Sequence, residues 1–150
     1  MESNDTRTPA QPGQCRYPLD PLADVFEKLL GEGGCPWDRK QTHHSLKPYM
    51  LEESAEVVEA IEEDDMAKLM EELGDVLLQV AFHAALAKNR GDFDLNDIVS
   101  CVTEKLIRRH PHVFGDEKAT NEDEVAELWY RIKKEERQQK SLLINKRQFS

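Results

Sequence analysis

The sequence predicts an all-α protein, and three observations carry that prediction. Apolar residues recur at three- and four-residue spacing in successive stretches, the period of a helix with one covered face. No segment alternates apolar and polar residues with the period of two that a half-buried strand requires. Helix starts and stops punctuate the stretches: Asp20-Pro21, Gly31, Asp64-Asp65, Asn89-Arg90-Gly91 and Pro111.

Asp20 reads as an N-cap with Pro21 at the first helical position, and Leu22, Val25, Phe26, Leu29 and Leu30 follow at helical spacing until Gly31. Residues 31 to 42 form a glycine-rich loop carrying Cys35-Pro36-Trp37-Asp38. A second helix is expected from Ser45 to Glu62, with Pro48 in the first turn, where a missing N–H costs little. Its expected buried stripe is Leu51, Ala55, Val58 and Ile61. Asp64 and Asp65 turn the chain and cap a third helix, Met66 to Asn89, the most apolar of all. Leu69, Leu73, Val76, Leu77, Val80 and Ala84 line one side of it. Asp94 caps a fourth helix through Ile98, Val102 and Leu106 to Arg109, which Pro111 ends. Residues 112 to 120 read as a loop, and Asn121 caps a last helix through Leu128, Trp129 and Ile132. The two long central helices, joined by a short turn, form the expected heart of the fold.

At 150 residues the chain has the length of one domain. Its 30 acidic residues against 20 basic ones give a net charge of −10, which argues against nucleic acid as a general partner. Cys15, Cys35 and Cys101 are odd in number and widely spaced, so they suggest neither a disulfide framework nor a zinc site. The expected compartment is therefore reducing, that is, cytoplasmic. No stretch reaches the length of a membrane span. The polar start, with Pro9, Pro12 and Gly13, lacks the apolar core of a signal peptide and reads as a disordered lead-in.

The chemistry is concentrated in two acidic motifs, Leu51-Glu52-Glu53-Ser54-Ala55-Glu56 and Glu71-Glu72-Leu73-Gly74-Asp75. Each places carboxylates at i and i+3, on one face of its helix. Such a pair is most often a solvated face, and Glu62 to Asp65 at the turn fit that reading. The two motifs differ because they occur twice, on neighbouring helices, beside the most apolar stripes. Gly74, unfavourable inside a helix, sits next to Asp75, where a close approach of helix or ligand accounts for it. Packed antiparallel, the two helices gather Glu53, Glu56, Glu72 and Asp75 into one pocket. Carboxylates so crowded stay ionised only beside a cation. An all-oxygen donor set selects a hard ion, Mg²⁺ or Mn²⁺. The chain contains no Glu-x-x-His, which disfavours a di-iron centre. His83 reads as a core or interface residue rather than a ligand.

Mg²⁺ commonly bridges carboxylates and substrate phosphates, and cationic side chains then take up the remaining phosphate charge. Candidates are Lys68, one turn before Glu72, then Lys105, Arg108 and Arg109 closing the fourth helix, and Lys133, one turn after Trp129. The alternative is that the arginines only complement a helix dipole and that Lys133 is solvated. Trp37 and Trp129 are either base-stacking residues or core.

Five segments stand in order: Gly34-Cys35-Pro36-Trp37-Asp38, Leu51-Glu52-Glu53-x-x-Glu56, Glu71-Glu72-Leu73-Gly74-Asp75, the run Glu104 to Asp116 with His110-Pro111-His112-Val113-Phe114-Gly115, and Trp129-x-x-Ile132-Lys133. Together they resemble the MazG family of nucleoside triphosphate pyrophosphohydrolases. The resemblance covers residues 19–137, leaving a lead-in at 1–18 and a tail at 138–150. It implies a four-helix-type bundle that dimerises through its helices, with a tetramer as the alternative. It implies Mg²⁺-dependent hydrolysis of an NTP or dNTP to monophosphate and pyrophosphate, serving to clear unwanted nucleotides. The metal ligands fall on Glu53, Glu56, Glu72 and Asp75, and the substrate contacts on Lys68, Lys105, Arg109, Trp129 and Lys133. Glu52 either orients or deprotonates the attacking water, beside Glu53, or faces solvent. Some members carry two such domains and this chain has one, closer to the first copy. The alternatives are a narrower dUTP, dCTP or alarmone-type enzyme and a non-catalytic helical interaction module.

Overall fold

The structure, a computed structural model, describes residues 19–148, with side chains to residue 141. The lead-in expected at 1–18 and Cys15 lie outside the described residues. Among those residues every regular element is helical: α1 (Asp20–Leu30), a 3₁₀ turn (Asp38–Lys40), α2 (Lys47–Glu62), α3 (Met66–Arg90), α4 (Leu95–Arg109), α5 (Pro111–Phe114) and α6 (Glu122–Gln148). The all-α expectation therefore holds. The chain forms two compact units that divide between Asn96 and Asp97.

In the first unit, α2 and α3 form an antiparallel helical hairpin, and α1 packs on α3. The hairpin turn is built as its sequence anticipates. Asp64 takes a left-handed φ of 54°, and Asp65 Oδ1 accepts the Ala67 and Lys68 backbone N–H groups at 3.0 Å. At its far end α3 stops on Gly91, whose φ of 78° is the left-handed conformation of a helix C-terminus. The core gathers Phe26 of α1, Leu46, Ala60 of α2, and Ala81, Phe82, Ala84 and Ala87 of α3. Phe26 and Phe82 meet with ring centroids 5.0 Å apart. The buried face of α3 is thus made largely of alanines, small enough for neighbouring backbones to come close.

Several sequence expectations shift. α1 begins at Asp20 itself, with Leu19 in the capping position. α2 begins at Lys47 rather than Ser45, because Ser45 closes its own turn: Ser45 Oγ accepts the Thr42 N–H, and Thr42 Oγ1 accepts the Ser45 N–H. The loop at 31–42 holds the short 3₁₀ turn, and the one at 112–120 opens with α5. The largest difference lies on α2. Leu51, Ala55, Val58 and Ile61, read as its buried stripe, are exposed, Leu51 by 74 %. On α3 Leu73 and Leu77 are exposed as well, in register with Met66 and Met70. Gly74 does not mark a close approach among the described residues, since a Cβ placed there meets none of them within 4 Å.

The second unit contains nearly all of α4, then α5 and α6. Asn121 caps α6, its Oδ1 accepting the Glu124 N–H at 2.9 Å, and the helix continues to Gln148. Leu128 and Ile132 are buried. Arg108 and Arg109 at the end of α4 both pair with Glu136 of α6, at 2.7 and 2.9 Å. Arg131 of α6 pairs with Glu117 at 2.6 Å.

Candidate metal centre

The hairpin brings the two acidic motifs face to face. Glu53 and Glu56 stand on α2 opposite Glu72 on α3, and each offers a carboxylate oxygen within 4.8 Å of the others. Asp75, one turn beyond Glu72, acts on the same group, since its charge raises the pKa of both Glu53 and Glu72. For Glu53 desolvation is the largest cause, followed by Asp75, Glu56, Glu52 and Glu72. For Glu72 desolvation again leads, then the charge of Glu56 and a hydrogen bond with it. This mutual repulsion is what crowded carboxylates produce, and a cation among them would relieve it. The donor set is all oxygen, the kind that suits a hard divalent cation; Glu53, Glu56 and Glu72 are the three that converge, and Asp75 is not among the converging ligand atoms.

Lys68 lies on the α3 face of this cluster and lowers the pKa of Glu72. Its ammonium is engaged by Glu63 at 2.9 Å and Glu59 at 3.6 Å, which raise its own pKa. Glu52 is exposed, next to Glu53 in sequence, and reaches the site through its charge on Glu53. Trp37 stands on the loop before α2, edge-on to Tyr49 with centroids 5.9 Å apart. His83, expected in the core or at an interface, is half-buried and hydrogen-bonds His43, Nδ1 to Nδ1 at 2.7 Å. Burial, then the neighbouring His43, lowers its pKa.

The remaining candidates belong to the second unit. Arg109 lies with its guanidinium 5.2 Å from the centre of the Trp129 ring, and His110 meets the same ring edge-on at 5.1 Å. Glu136 joins Arg108 and Arg109, and its carboxyl is held down to about 2, first by the hydrogen bond from Arg109 and then by that from Arg108. Lys105 sits one turn before Arg109 on α4, and Lys133 one turn after Trp129 on α6; both are half-buried.

Three residues near these candidates are not singled out by the sequence: Glu136, Tyr49 and Gln79. Glu136 lies in the charged run Lys133 to Arg137, which resembles a solvated face. Tyr49 and Gln79 lie inside helical patterns, one turn before Glu53 and one turn after Asp75. That turn spacing from the acidic motifs is the one signal that points to them.

Comparison with known proteins gives this arrangement a context. The sequence model of the MazG nucleotide pyrophosphohydrolase domain matches residues 41–114, which include both acidic motifs. A Thermotoga maritima protein named nucleoside triphosphate pyrophosphohydrolase/pyrophosphatase MazG is 60 % identical over 100 residues, 65 % of this chain and 38 % of that one. An Escherichia coli K12 protein named nucleoside triphosphate pyrophosphohydrolase is 48 % identical over 124 residues, 82 % of this chain and 47 % of that one. The chain spans about a quarter to a half of the length of such curated relatives. The crystal structure of a mazG-related protein from Thermotoga maritima superposes with a TM-score of 0.64 at 32 % identity, covering 76 % of this chain and 97 % of that one. Near-complete coverage of a solved relative, together with a domain match across the paired carboxylates, means that this chain belongs to the MazG nucleotide pyrophosphohydrolase family.

Proposed function

We propose that the chain hydrolyses nucleoside triphosphates, NTP or dNTP, to the monophosphate and pyrophosphate with Mg²⁺ as its cofactor. The observation that carries this reading is the convergence of Glu53, Glu56 and Glu72 within 4.8 Å on one helical hairpin, with Asp75 beside them. Bound there, the ion would supply charge neutralisation for the triphosphate and acidify a water. Mn²⁺ presents the same preference for oxygen donors. The chain's own residues divide the remaining work. Glu53, Glu56, Glu72 and Asp75 hold the cation, and Glu52 orients the attacking water or accepts its proton. Lys68, Lys105, Arg108, Arg109 and Lys133 are the proposed phosphate contacts, and Trp129 and Trp37 the proposed base contacts. The names of the Thermotoga and Escherichia relatives support the reaction type.

The functional form in this reading is a homodimer. Leu51 and Val58 share one face of α2, and Met66, Met70, Leu73 and Leu77 one face of α3; all are exposed. Apolar faces of this extent on a monomer mark an interaction surface. Among the described residues no helix is long and apolar enough to cross a membrane. Cys35 and Cys101 are unpaired thiols, which supports a cytoplasmic setting.

The test is product analysis by anion-exchange chromatography. The purified chain is incubated with each common NTP and dNTP plus Mg²⁺, beside a Glu53→Gln, Glu72→Gln double variant. Monophosphate and pyrophosphate are expected, with the variant slower by at least about 100-fold, as for the loss of other preorganised charge. Diphosphate and phosphate as products, or full activity in the variant, would overturn the reading.

A further inference from the structure

The charged groups that join α4 to α6 are arranged more specifically than a tie between two helices requires. A carboxylate serving one arginine commonly makes two parallel bonds to it. Glu136 divides its oxygens instead, Oε1 accepting from Arg108 Nε at 2.7 Å and Oε2 from Arg109 Nη2 at 2.9 Å. Neighbouring residues on a helix point about 100° apart, so the two arginines diverge unless a common partner draws them together. Glu136 is that partner.

Two consequences bear on the binding of an anion. Trp129, Lys133 and Glu136 stand at i, i+4 and i+7 on α6, on one face of that helix. The carboxylate therefore brings both arginines of α4 to the face that carries other candidate substrate contacts, and the Arg109 guanidinium lies 5.2 Å from the centre of the Trp129 ring. The second consequence concerns the nitrogens left over. Arg108 is gripped at Nε alone, its side chain is 52 % exposed, and its two terminal nitrogens take no hydrogen bond among the described residues. Those nitrogens are a planar pair of donors matched to phosphate oxygens, on a guanidinium whose base is already fixed. Arg109 and Glu136, each 16 % exposed, form the shielded part of the brace.

We propose that Glu136 is a positioning residue for triphosphate binding: it holds Arg108 and Arg109 on the Trp129–Lys133 face of α6, with the terminal nitrogens of Arg108 free to take phosphate oxygens. This deepens the triphosphate reading and rests on it. Without the carboxylate both long side chains regain rotamer freedom, and each binding event has to order them again. The sign of the effect separates this role from simple charge. A carboxylate near a polyanion repels it, so by charge alone Glu136→Gln tightens binding. By positioning, the same replacement weakens it.

The experiment measures kcat and KM with Mg²⁺, at about pH 7, for the triphosphate that wild type cleaves fastest. In Glu136→Gln, KM should rise about fivefold or more. Partial unfolding would lower the apparent kcat at unchanged KM, so KM separates positioning from a purely structural role. In an Arg108→Ala background the same replacement should raise KM by less than about half that factor, because the two residues act through one another. An unchanged or lower KM in Glu136→Gln, or an equal rise in both backgrounds, would overturn the proposal while leaving hydrolysis standing. Arg108→Lys decides the matter if Glu136→Gln fails to fold. Lysine keeps the charge, but its single nitrogen cannot both reach Glu136 and leave a pair of donors for phosphate. Its KM should rise about threefold or more, and an unchanged KM would overturn the proposal. Calorimetric Kd values for inorganic tripolyphosphate with Mg²⁺ separate this idea from the reaction itself. If no triphosphate is cleaved, a weaker Kd in Glu136→Gln and Arg108→Lys still supports positioning of an anion. Equal or tighter Kd values, or no binding to wild type, refute it.

Discussion

Replacing Glu136 by glutamine isolates a single electrostatic anchor in the second unit. Its two oxygens accept from Arg108 Nε at 2.7 Å and Arg109 Nη2 at 2.9 Å, joining the end of α4 to α6. The hydrogen bonds and charge of Arg109 and Arg108 hold the carboxyl at about 2 against an ordinary 4.5. Taken whole, that displacement amounts to about 3 kcal/mol. Arg108 is 52 % exposed, so water screens its share, while Arg109 and Glu136 are each only 16 % exposed. A net loss of about 1–2 kcal/mol at about pH 7 is therefore expected for Glu136→Gln. The sign follows from linkage. Because the folded pKa is depressed, the contribution is complete above the ordinary 4.5 and disappears as pH falls through about 2. Urea unfolding of wild type and variant, followed by helical circular dichroism at several pH values, measures the gap. It should be open near neutrality and shrink steadily between about pH 5 and pH 2. A gap of the same size at both ends, or none near neutrality, would refute the reasoning.

Three further outcomes are expected. Met70→Glu with Leu73→Glu places charge on the exposed apolar face of α3 and should reduce the particle to monomer mass in light scattering; an unchanged oligomer would discount that face. Gly91→Ala forces a side chain into a φ of 78° and should cost about 1 kcal/mol in thermal unfolding, with no loss indicating that the turn re-forms otherwise. His83 is held neutral by burial and by His43, its pKa below the ordinary 6.5. Its contribution is therefore present above 6.5 and lost as pH falls, so His83→Phe should flatten the acid side of the stability profile, and an identical slope would count against it.

Legibility differed between fold and site for physical reasons. The helices of the α2–α3 hairpin were readable because period, proline and caps all act within a few residues: Asp65 caps α3 and Gly91 ends it as their types dictate. Which face of α2 turns inward was not readable. Leu51, Ala55 and Val58 form an apolar stripe, but the pattern reports only that a face avoids water, not which surface covers it. The buried position is Ala60, whose size rather than hydrophobicity suits a close helix contact. The carboxylates were legible because i and i+3 spacing fixes them on one helical face. Glu136 and Gln79 were not, since one depends on partners 27 and 28 residues away and the other on a cleft wall. The 3₁₀ turn and α5 are too short to show a period at all.

The placement of the carboxylates on a single hairpin also bears on the order in which the molecule assembles. From Glu53 to Asp75 the chain spans 23 residues, closed by a tight turn around Asp64 and Asp65. Contacts so close in sequence cost little loop-closure entropy and form among the earliest, on the microsecond scale of helix growth and loop closure. Charge repulsion among the four carboxylates opposes that closure, and a cation relieves it. Divalent ions are therefore expected to accelerate the first step of folding as well as to bind the finished protein.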